Sequence, residues 1–92
     1  MFDMYLISKR IPASDLFNGR LDRYGIRELT TTHTTKRHRL LCDESLNLLS
    51  VILNDEGNVA FFIKGVDSPN SPWIIFDAIA NEFNCVIQAD RH

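Results

Sequence analysis

The sequence predicts an α+β fold: a single domain, residues 1–92, with a mostly antiparallel sheet of four or five strands and two helices, in the approximate order β-α-β-β-β-α-β. Two apolar, strand-like runs, residues 48–53 and 59–63, flank a turn segment at 54–58. An amphipathic helical pattern follows over residues 72–83. A chain of 92 residues with 45% apolar residues can build one hydrophobic core, near the lower size limit for a domain that folds alone.

The first quarter of the chain predicts a strand and a short helix. Residues 4–11 read as a strand that Pro12 ends, because proline has no N–H to donate to a sheet. Ser14 is predicted to cap a helix on whose apolar face lie Leu16, Phe17, Leu21 and Tyr24. Gly19 weakens this helix, so an irregular, turn-rich segment is the alternative. Gly25 is predicted to end it.

The next segment is rich in threonine and basic residues. Residues 26–35 suit either an edge strand or an exposed loop, since branched Thr favours a pleated surface but the segment is polar. Residues 36–39 form the densest basic cluster of the chain. Residues 40–42 are predicted to continue as a strand that breaks at 43–45, where Asp, Glu and Ser favour a turn.

The hairpin can be given a register. If residues 55–57 form a three-residue loop, Gly57 takes the left-handed conformation of a bulged turn and Leu53 lies opposite Val59. Stepping back along both strands pairs Ile52 with Ala60, Val51 with Phe61, and Ser50 with Phe62. Alternation of side chains then predicts one apolar core face: Leu49, Val51, Leu53, Val59, Phe61 and Ile63. The reverse face is mixed, and either the N-terminal segment covers it or it is offered to a partner: Leu48, Ser50, Ile52, Ala60, Phe62 and Lys64.

The last element pair is a helix and a short strand. Ser71 is predicted to cap the helix and Pro72 to be its first residue. Its apolar stripe packs on the sheet and consists of Ile75, Phe76, Ile79, Ala80 and Phe83. Trp73 lies at the edge of the stripe, where it either flanks the core or anchors a partner. Asn84 is predicted to end the helix, and residues 85–89 to form the last strand.

Charge is unevenly distributed although the net charge is only −2. Residues 1–40 hold eight of the ten Lys/Arg and four of the twelve Asp/Glu, whereas residues 41–92 hold two and eight. The two segments either attract each other on folding or present opposite charges to a partner. No apolar run approaches the roughly 18 residues of a membrane span. The first residues lack the basic start of a signal peptide, so a cytoplasmic location is predicted.

Motifs of catalysis and metal binding are missing from the sequence, and neither an enzyme nor a cofactor is predicted. The glycines are scattered and form no phosphate-binding loop. Cys42 and Cys85 lie beside apolar residues, so we expect two buried thiols rather than a disulfide. The spacing of His33, His38 and Cys42 is not that of a zinc site. The acidic pairs at 43–44 and 55–56 fall in predicted turns and are interpreted as structural or contact charges.

Residues 40–87 are similar to a group of small bacterial α+β proteins. The similarity comprises the strand 48–53, the turn Asp55-Glu56-Gly57, the Phe61-Phe62 pair, Pro72, Ile75, Ile79-Ala80, Glu82-Phe83 and Val86-Ile87. Some proteins of this kind are immunity proteins, which bind and inactivate a cognate toxin such as a nuclease. They commonly end in an acidic, aromatic tail, from which residues 88–92 of this chain depart.

The expected function is that of a non-enzymatic binding protein that inhibits or masks a protein partner, most specifically an immunity protein that neutralises a bacterial toxin. The alternative is a nucleic-acid-binding or regulatory module that uses the basic segment 36–39. The sequence pI of 5.8 and the lack of interleaved aromatic residues count against that alternative. No membrane association is expected, and a homodimer is left open. The predicted partner-binding residues are Lys36, Arg37, Arg39, Asp43, Glu44, Asp55, Glu56, Phe62, Asp67 and Trp73.

Overall fold

The computed structural model describes residues 3–64 and 73–90, which build a six-stranded antiparallel sheet and two helices. In chain order the elements are β1 Asp3–Ile7, α1 Ala13–Leu16, β2 Arg27–Leu29, β3 His38–Cys42, β4 Leu48–Leu53, β5 Val59–Lys64, α2 Trp73–Phe83 and β6 Ile87–Asp90. A 3-10 turn, Asp22–Tyr24, precedes β2. The sheet order is β2-β3-β4-β5-β1-β6. The predicted α+β class is confirmed, with six strands where four or five were expected.

Strand β1 is an inner strand of the sheet. It pairs antiparallel with β5 on one side and with β6 on the other. It ends at Ile7 rather than at Ile11, because the chain bends at residues 8–9 before it continues. Ile11 then runs beside the hairpin turn, where its carbonyl oxygen accepts a hydrogen bond of 2.8 Å from the Val59 N–H. This bond and the burial of Ile11 fix the entry to α1.

The first helix is shorter than its apolar spacing predicts. Pro12 occupies the N-cap position, and its carbonyl oxygen accepts from the N–H of Asp15 and of Leu16, so Ser14 lies inside the helix and does not cap it. The helix ends at Leu16, and Gly19 has a left-handed φ of +94°. The irregular alternative is therefore the observed one from residue 17 onward. Gly25, at φ +75°, ends the 3-10 turn, in agreement with its predicted stop role.

The hairpin register differs from the prediction by one residue over most of its length. Gly57 has the expected left-handed φ of +81°, and Leu53 lies opposite Val59 as predicted. Beyond this pair a register shift between Ile52 and Leu53 sets Ile52 opposite Phe61. Ala60 is the extra residue of this β-bulge, so Val51 pairs with Phe62 and Ser50 with Ile63. A one-residue shift exchanges the two faces of β5, and Phe62 becomes a core residue with 0% exposure.

Both helices pack on one face of the sheet, which we call the inner face. In α2 the buried residues are Ile75, Phe76, Ala78, Ile79 and Phe83, close to the predicted stripe, with Ala78 in place of Ala80. The Phe76 ring lies 4.7 Å from that of Tyr5 and 5.8 Å from that of Phe62, measured between centroids. Asn84 ends the helix with a left-handed φ of +52°, as predicted. The predicted helix start at Ser71 and Pro72 lies outside the described residues.

The two edges of the sheet are short strands. Residues 27–29 form edge strand β2, and the threonine-rich residues after it form turns in which the Thr34 hydroxyl donates to the Thr31 carbonyl oxygen. At the other edge, β6 spans Ile87–Asp90, slightly later than predicted. Within the part of the chain that the structure describes, no helix has the length and apolar character needed to cross a membrane.

Candidate functional site

The face of the sheet opposite the helices, here called the outer face, is mainly apolar. The register places one row of residues across all six strands of this face: Leu29, Leu40, Ser50, Ile63, Met4 and Asp90. The neighbouring row contains His38, Ile52, Phe61, Leu6 and Gln88, and a third contains Arg27, Cys42 and Leu48. Because Tyr5, Val51 and Phe62 point into the core, these alternating neighbours point away from it.

Solvent reaches much of the outer face. Leu6 is 44% exposed and Leu48 is 39% exposed, while Phe61, Ile52 and Ile63 are half-buried among their neighbours. Cys42, by contrast, is fully buried. The central polar contact joins His38 Nε2 and Ser50 Oγ across β3 and β4 at 3.0 Å. These two polar groups therefore satisfy each other, and the surface around them is formed by aliphatic and aromatic side chains.

Sequence reasoning identified this face only in part. It predicted a reverse face that includes Leu48, Ser50 and Ile52, and these residues do lie there. It assigned Phe62 and Ala60 to that face, whereas Phe61 and Ile63 occupy it. The prediction that Phe62 contacts a partner is therefore wrong, because a side chain with 0% exposure cannot touch one in the folded protein. Two adjacent phenylalanines gave no signal in the sequence to distinguish the inner from the outer residue.

Arg39 of the basic cluster is held against the protein. Its Nε and Nη2 atoms donate to the two carboxylate oxygens of Glu28, both at 2.7 Å. The guanidinium carbon also lies 3.8 Å from the centroid of the Phe17 ring, a stacking geometry typical of cation–π contacts. The hydrogen bonds from Arg39 to Glu28 raise the pKa of Arg39. Arg39 therefore links β3, β2 and the segment after α1, and its charge is largely compensated within the molecule.

The rest of the basic cluster lies beside the hairpin turn. Arg37 forms an ion pair with Asp55, with Nη2 and Oδ1 2.8 Å apart, and both side chains are exposed. Lys36 contributes with Arg37 and Arg39 to a depression of about 340 Å³ whose other walls include Leu53 and Asn54. Two of the three predicted basic contact residues are thus paired with carboxylates. Paired cations offer less net charge to phosphates, and nucleic-acid binding by this cluster stays a prediction.

A third ion-pair group joins the two halves of the chain. Glu82 on α2 accepts from Arg20 Nε at 3.2 Å and also from Arg23. The Arg20 guanidinium lies 4.5 Å from the centroid of the Phe83 ring. Together with the Arg37–Asp55 pair, these contacts join basic residues before position 41 to acidic residues after it. Of the two interpretations of the charge asymmetry, mutual attraction within the fold is the one that these pairs support.

Asp43 has a structural role. Its Oδ1 atom accepts from the backbone N–H of Ser45 and of Asn47, both at 2.9 Å, and its Oδ2 atom accepts from Asn47 Nδ2 at 2.8 Å. Burial by itself raises the pKa of Asp43, but these hydrogen bonds outweigh it and lower the pKa. The side chain is only 4% exposed. Asp43 is therefore not available as a contact charge, and of the two interpretations of its acidic pair the structural one is observed, because its carboxylate closes the turn between β3 and β4.

The remaining predicted contact residues stay predictions. Glu44 and Glu56 are exposed, and neither forms an ion pair with another described residue. Trp73 is 53% exposed, and its ring packs edge-on against those of Tyr5 and Phe76, with interplanar angles of 82° and 67° and centroid distances of 6.2 and 5.6 Å. It therefore flanks the core and also presents a surface. Asp67 lies outside the described residues.

The thiols and histidines form no chemical centre among the described residues. Cys42 is buried and Cys85 is half-buried, and both are free thiols. Burial raises the pKa of Cys85, and the nearby positive charge of Lys9 opposes that effect only in part. The described residues contain no group of three His, Cys, Asp or Glu side chains placed to hold a metal ion.

The candidate binding surfaces of the molecule are thus the outer face and the charged surface around these ion pairs. Comparison of the chain with protein-family models, with curated proteins and with solved structures finds no match.

Proposed function

We propose that this protein is a non-enzymatic binding protein and that it binds another protein through the outer face of its sheet. The observation that supports this most is the run of mainly apolar side chains across the inner strands of that face, of which Leu6 and Leu48 are well exposed. Contiguous apolar patches of several hundred Å² on a soluble domain mark interaction sites. A flat surface of aliphatic and aromatic side chains can exclude water from a partner's surface over its whole area.

The most specific form of this proposal is an immunity protein that neutralises a bacterial toxin. This form rests on the resemblance to small immunity-type proteins that the residue pattern of 40–87 suggests. Inhibition then needs no catalytic group: the bound protein covers the toxin surface, and charged residues around the contact accelerate association. Glu44 and Glu56 are exposed carboxylates that could attract a basic toxin such as a nuclease.

Site-specific photo-crosslinking in the source cell tests the binding surface. A p-benzoylphenylalanine in place of Leu6 places the reactive group on the outer face, and the same residue in place of Ile74 is the matched control. Ile74 is also an exposed apolar residue, at 59%, but it lies on α2 on the opposite side of the molecule. We expect discrete protein adducts at position 6 and none at position 74. Equal labelling at both positions, or none at position 6, would contradict the proposal.

The toxin-inhibitor form has its own test. The product of a toxin-like reading frame directly beside this gene is expressed alone and together with this protein. We expect growth arrest in the first case and rescue in the second, with rescue lost in Leu6→Glu and kept in Ile74→Glu. A neighbouring product that is harmless when expressed alone would exclude this form and leave the binding proposal to the crosslinking experiment.

A further inference from the structure

We infer that the outer face is closed by a second copy of this chain when no other partner is bound, in a two-fold dimer with the two sheets packed face to face. The inference rests on the proposed function, because it concerns the same face, and it adds a regulation of that face. The binding surface is then covered in the free protein and is released only on dissociation.

The size of the outer face suits such a dimer. Six strands spaced about 4.8 Å apart, with about five residues each at about 3.3 Å per residue, form a face of roughly 29 by 17 Å, or about 500 Å². Two copies therefore bury about 1,000 Å² in total, the lower limit for a specific interface. An interface at this lower limit can give way to a partner that covers the same face with a larger contact.

The composition of the face also suits a copy of itself. On the outer face, the described residues of the four inner strands, β3, β4, β5 and β1, include no Lys, Arg, Asp or Glu. Two such centres meet without burying an unpaired formal charge, which would be costly. The polar pair His38 and Ser50 is already joined by a hydrogen bond within each copy. A strongly charged partner would find no complementary charge in the centre of this surface.

The charged residues of the face select the direction of the two-fold axis. Arg27 lies on edge strand β2, and Asp90 lies on the opposite edge strand β6. An axis parallel to the strands reverses the strand order between the copies and places β2 over the partner's β6. Each Arg27 then lies near Asp90 of the other copy, and the contact occurs twice. An axis across the strands would instead place β2 over β2 and β6 over β6, so that Arg27 and Asp90 of different copies would lie at opposite edges and could not pair.

The dimer and the complex with another protein exclude each other, because both need the same face. Raising the concentration of this protein therefore weakens the apparent affinity of each chain for its partner, since binding must compete with self-association. The resulting complex contains one copy of this chain. This dependence distinguishes a covered face from a second, independent binding surface.

Sedimentation equilibrium on the purified full chain tests the dimer. We expect the wild-type protein to be a dimer at micromolar concentrations and Leu6→Glu to be a monomer, with a dissociation constant raised by at least about 100-fold because two carboxylates are buried. Ile74→Glu, the matched change on the helix side, should dimerise like the wild type. Circular dichroism verifies that both variants are folded. A wild-type protein that stays monomeric up to its solubility limit would overturn the inference.

A charge-reversal cycle tests the orientation. Arg27→Glu and Asp90→Arg should each weaken the dimer several-fold, and the double variant should restore it, because the pair is exchanged and not lost. Single variants that dimerise like the wild type would overturn the strand-parallel axis. The crosslinking at position 6 separates the two proposals when it is done both on the purified protein and in the source cell. With the purified protein, adducts to this chain support the dimer and their absence overturns it. In the source cell, adducts to a different protein support the proposed function and their absence overturns it.

Discussion

Replacing the adjacent residues Phe61 and Phe62 separately by alanine tests which of them points into the core from β5, because the two substitutions should lower the free energy of unfolding by different amounts. Phe62 is fully buried, pairs with Tyr5 and Val51 in the sheet, and has its ring 5.8 Å from that of Phe76. Truncation of a fully buried phenylalanine leaves a cavity and costs about 3–5 kcal/mol. Phe61 is half-buried on the outer face, so its truncation should cost about 1–2 kcal/mol through lost apolar burial alone.

The expected loss of free energy of unfolding in Phe62→Ala is large relative to the total free energy of unfolding of the domain. At about 0.05–0.15 kcal/mol per residue, a chain of 92 residues has a free energy of unfolding of roughly 5–14 kcal/mol. Phe62→Ala therefore removes a large share of the stability, and the variant should be partly unfolded at 37 °C if the wild type lies at the low end. Phe61→Ala should remain folded.

Urea denaturation followed by tryptophan fluorescence provides the measurement. Trp73 is the single tryptophan, and it contacts the core rings of Tyr5 and Phe76, so its emission reports on unfolding. Both variants should be compared with the wild type at a protein concentration well below the dissociation constant of the dimer, because self-association adds a concentration-dependent stability. A larger loss for Phe61→Ala than for Phe62→Ala would refute the bulge at Ala60 and support the simple register.

Three further predictions concern the turns and the basic cluster. Asp43→Asn should lower the free energy of unfolding by about 1–2 kcal/mol in urea titrations at pH 7, because it weakens charge-assisted hydrogen bonds. The folded-state pKa of Asp43 lies below the unfolded value of about 3.9. The ionised carboxylate therefore contributes its full stabilisation above about pH 3.9, and this contribution is lost as the pH falls through the folded-state pKa. The Asp43→Asn variant should accordingly lose less stability on acidification than the wild type. Gly57→Ala should cost about 1 kcal/mol in thermal unfolding, from the φ of +81° alone, because nothing lies within 4 Å of an added Cβ; a stabilised variant would contradict this. Arg39→Ala should lower the free energy of unfolding by about 1–2 kcal/mol, because the half-buried, bidentate ion pair with Glu28 is lost. Arg37→Ala removes an exposed ion pair and should change the free energy of unfolding by less than about 0.5 kcal/mol. Equal effects of the two substitutions would show that the geometry of the Arg39 pair adds nothing to stability.

The class of the fold could be predicted because its signals are local. The three-residue loop with a left-handed Gly57 and the apolar stripe of α2 depend on short spacings, and both are confirmed. The faces of β5 could not be predicted, because one inserted residue, Ala60, reverses the alternation while Phe61 and Phe62 are identical side chains. A bulge of this kind follows from how the paired strands twist, which no single strand encodes.

The candidate site was less predictable than the fold. Charged residues in the predicted turns are candidates for contact with a partner. Whether such a carboxylate is free for a partner or accepts hydrogen bonds within the fold depends on which N–H groups the folded chain places beside it. Asp43 is surrounded by such donors, whereas the side chain of Glu44, the next residue, lies over Gly25 and stays exposed. Likewise, the partner of Arg39 is Glu28, on the neighbouring strand, and the pairing of β2 with β3 could not be read from the threonine-rich segment between them.

The inner position of β1 has a consequence for how the protein is made. Tyr5 pairs with Phe62 on one side and with Ala89 on the other, so both neighbours of this strand lie far along the chain. On a ribosome, β1 emerges before both of its neighbours, so the backbone N–H and C=O groups of its two edges stay unpaired until the hairpin and then β6 have been synthesised. Such long-range pairing slows folding and leaves time for nascent chains to aggregate. The late-emerging strands β5 and β6 therefore determine when the sheet can close.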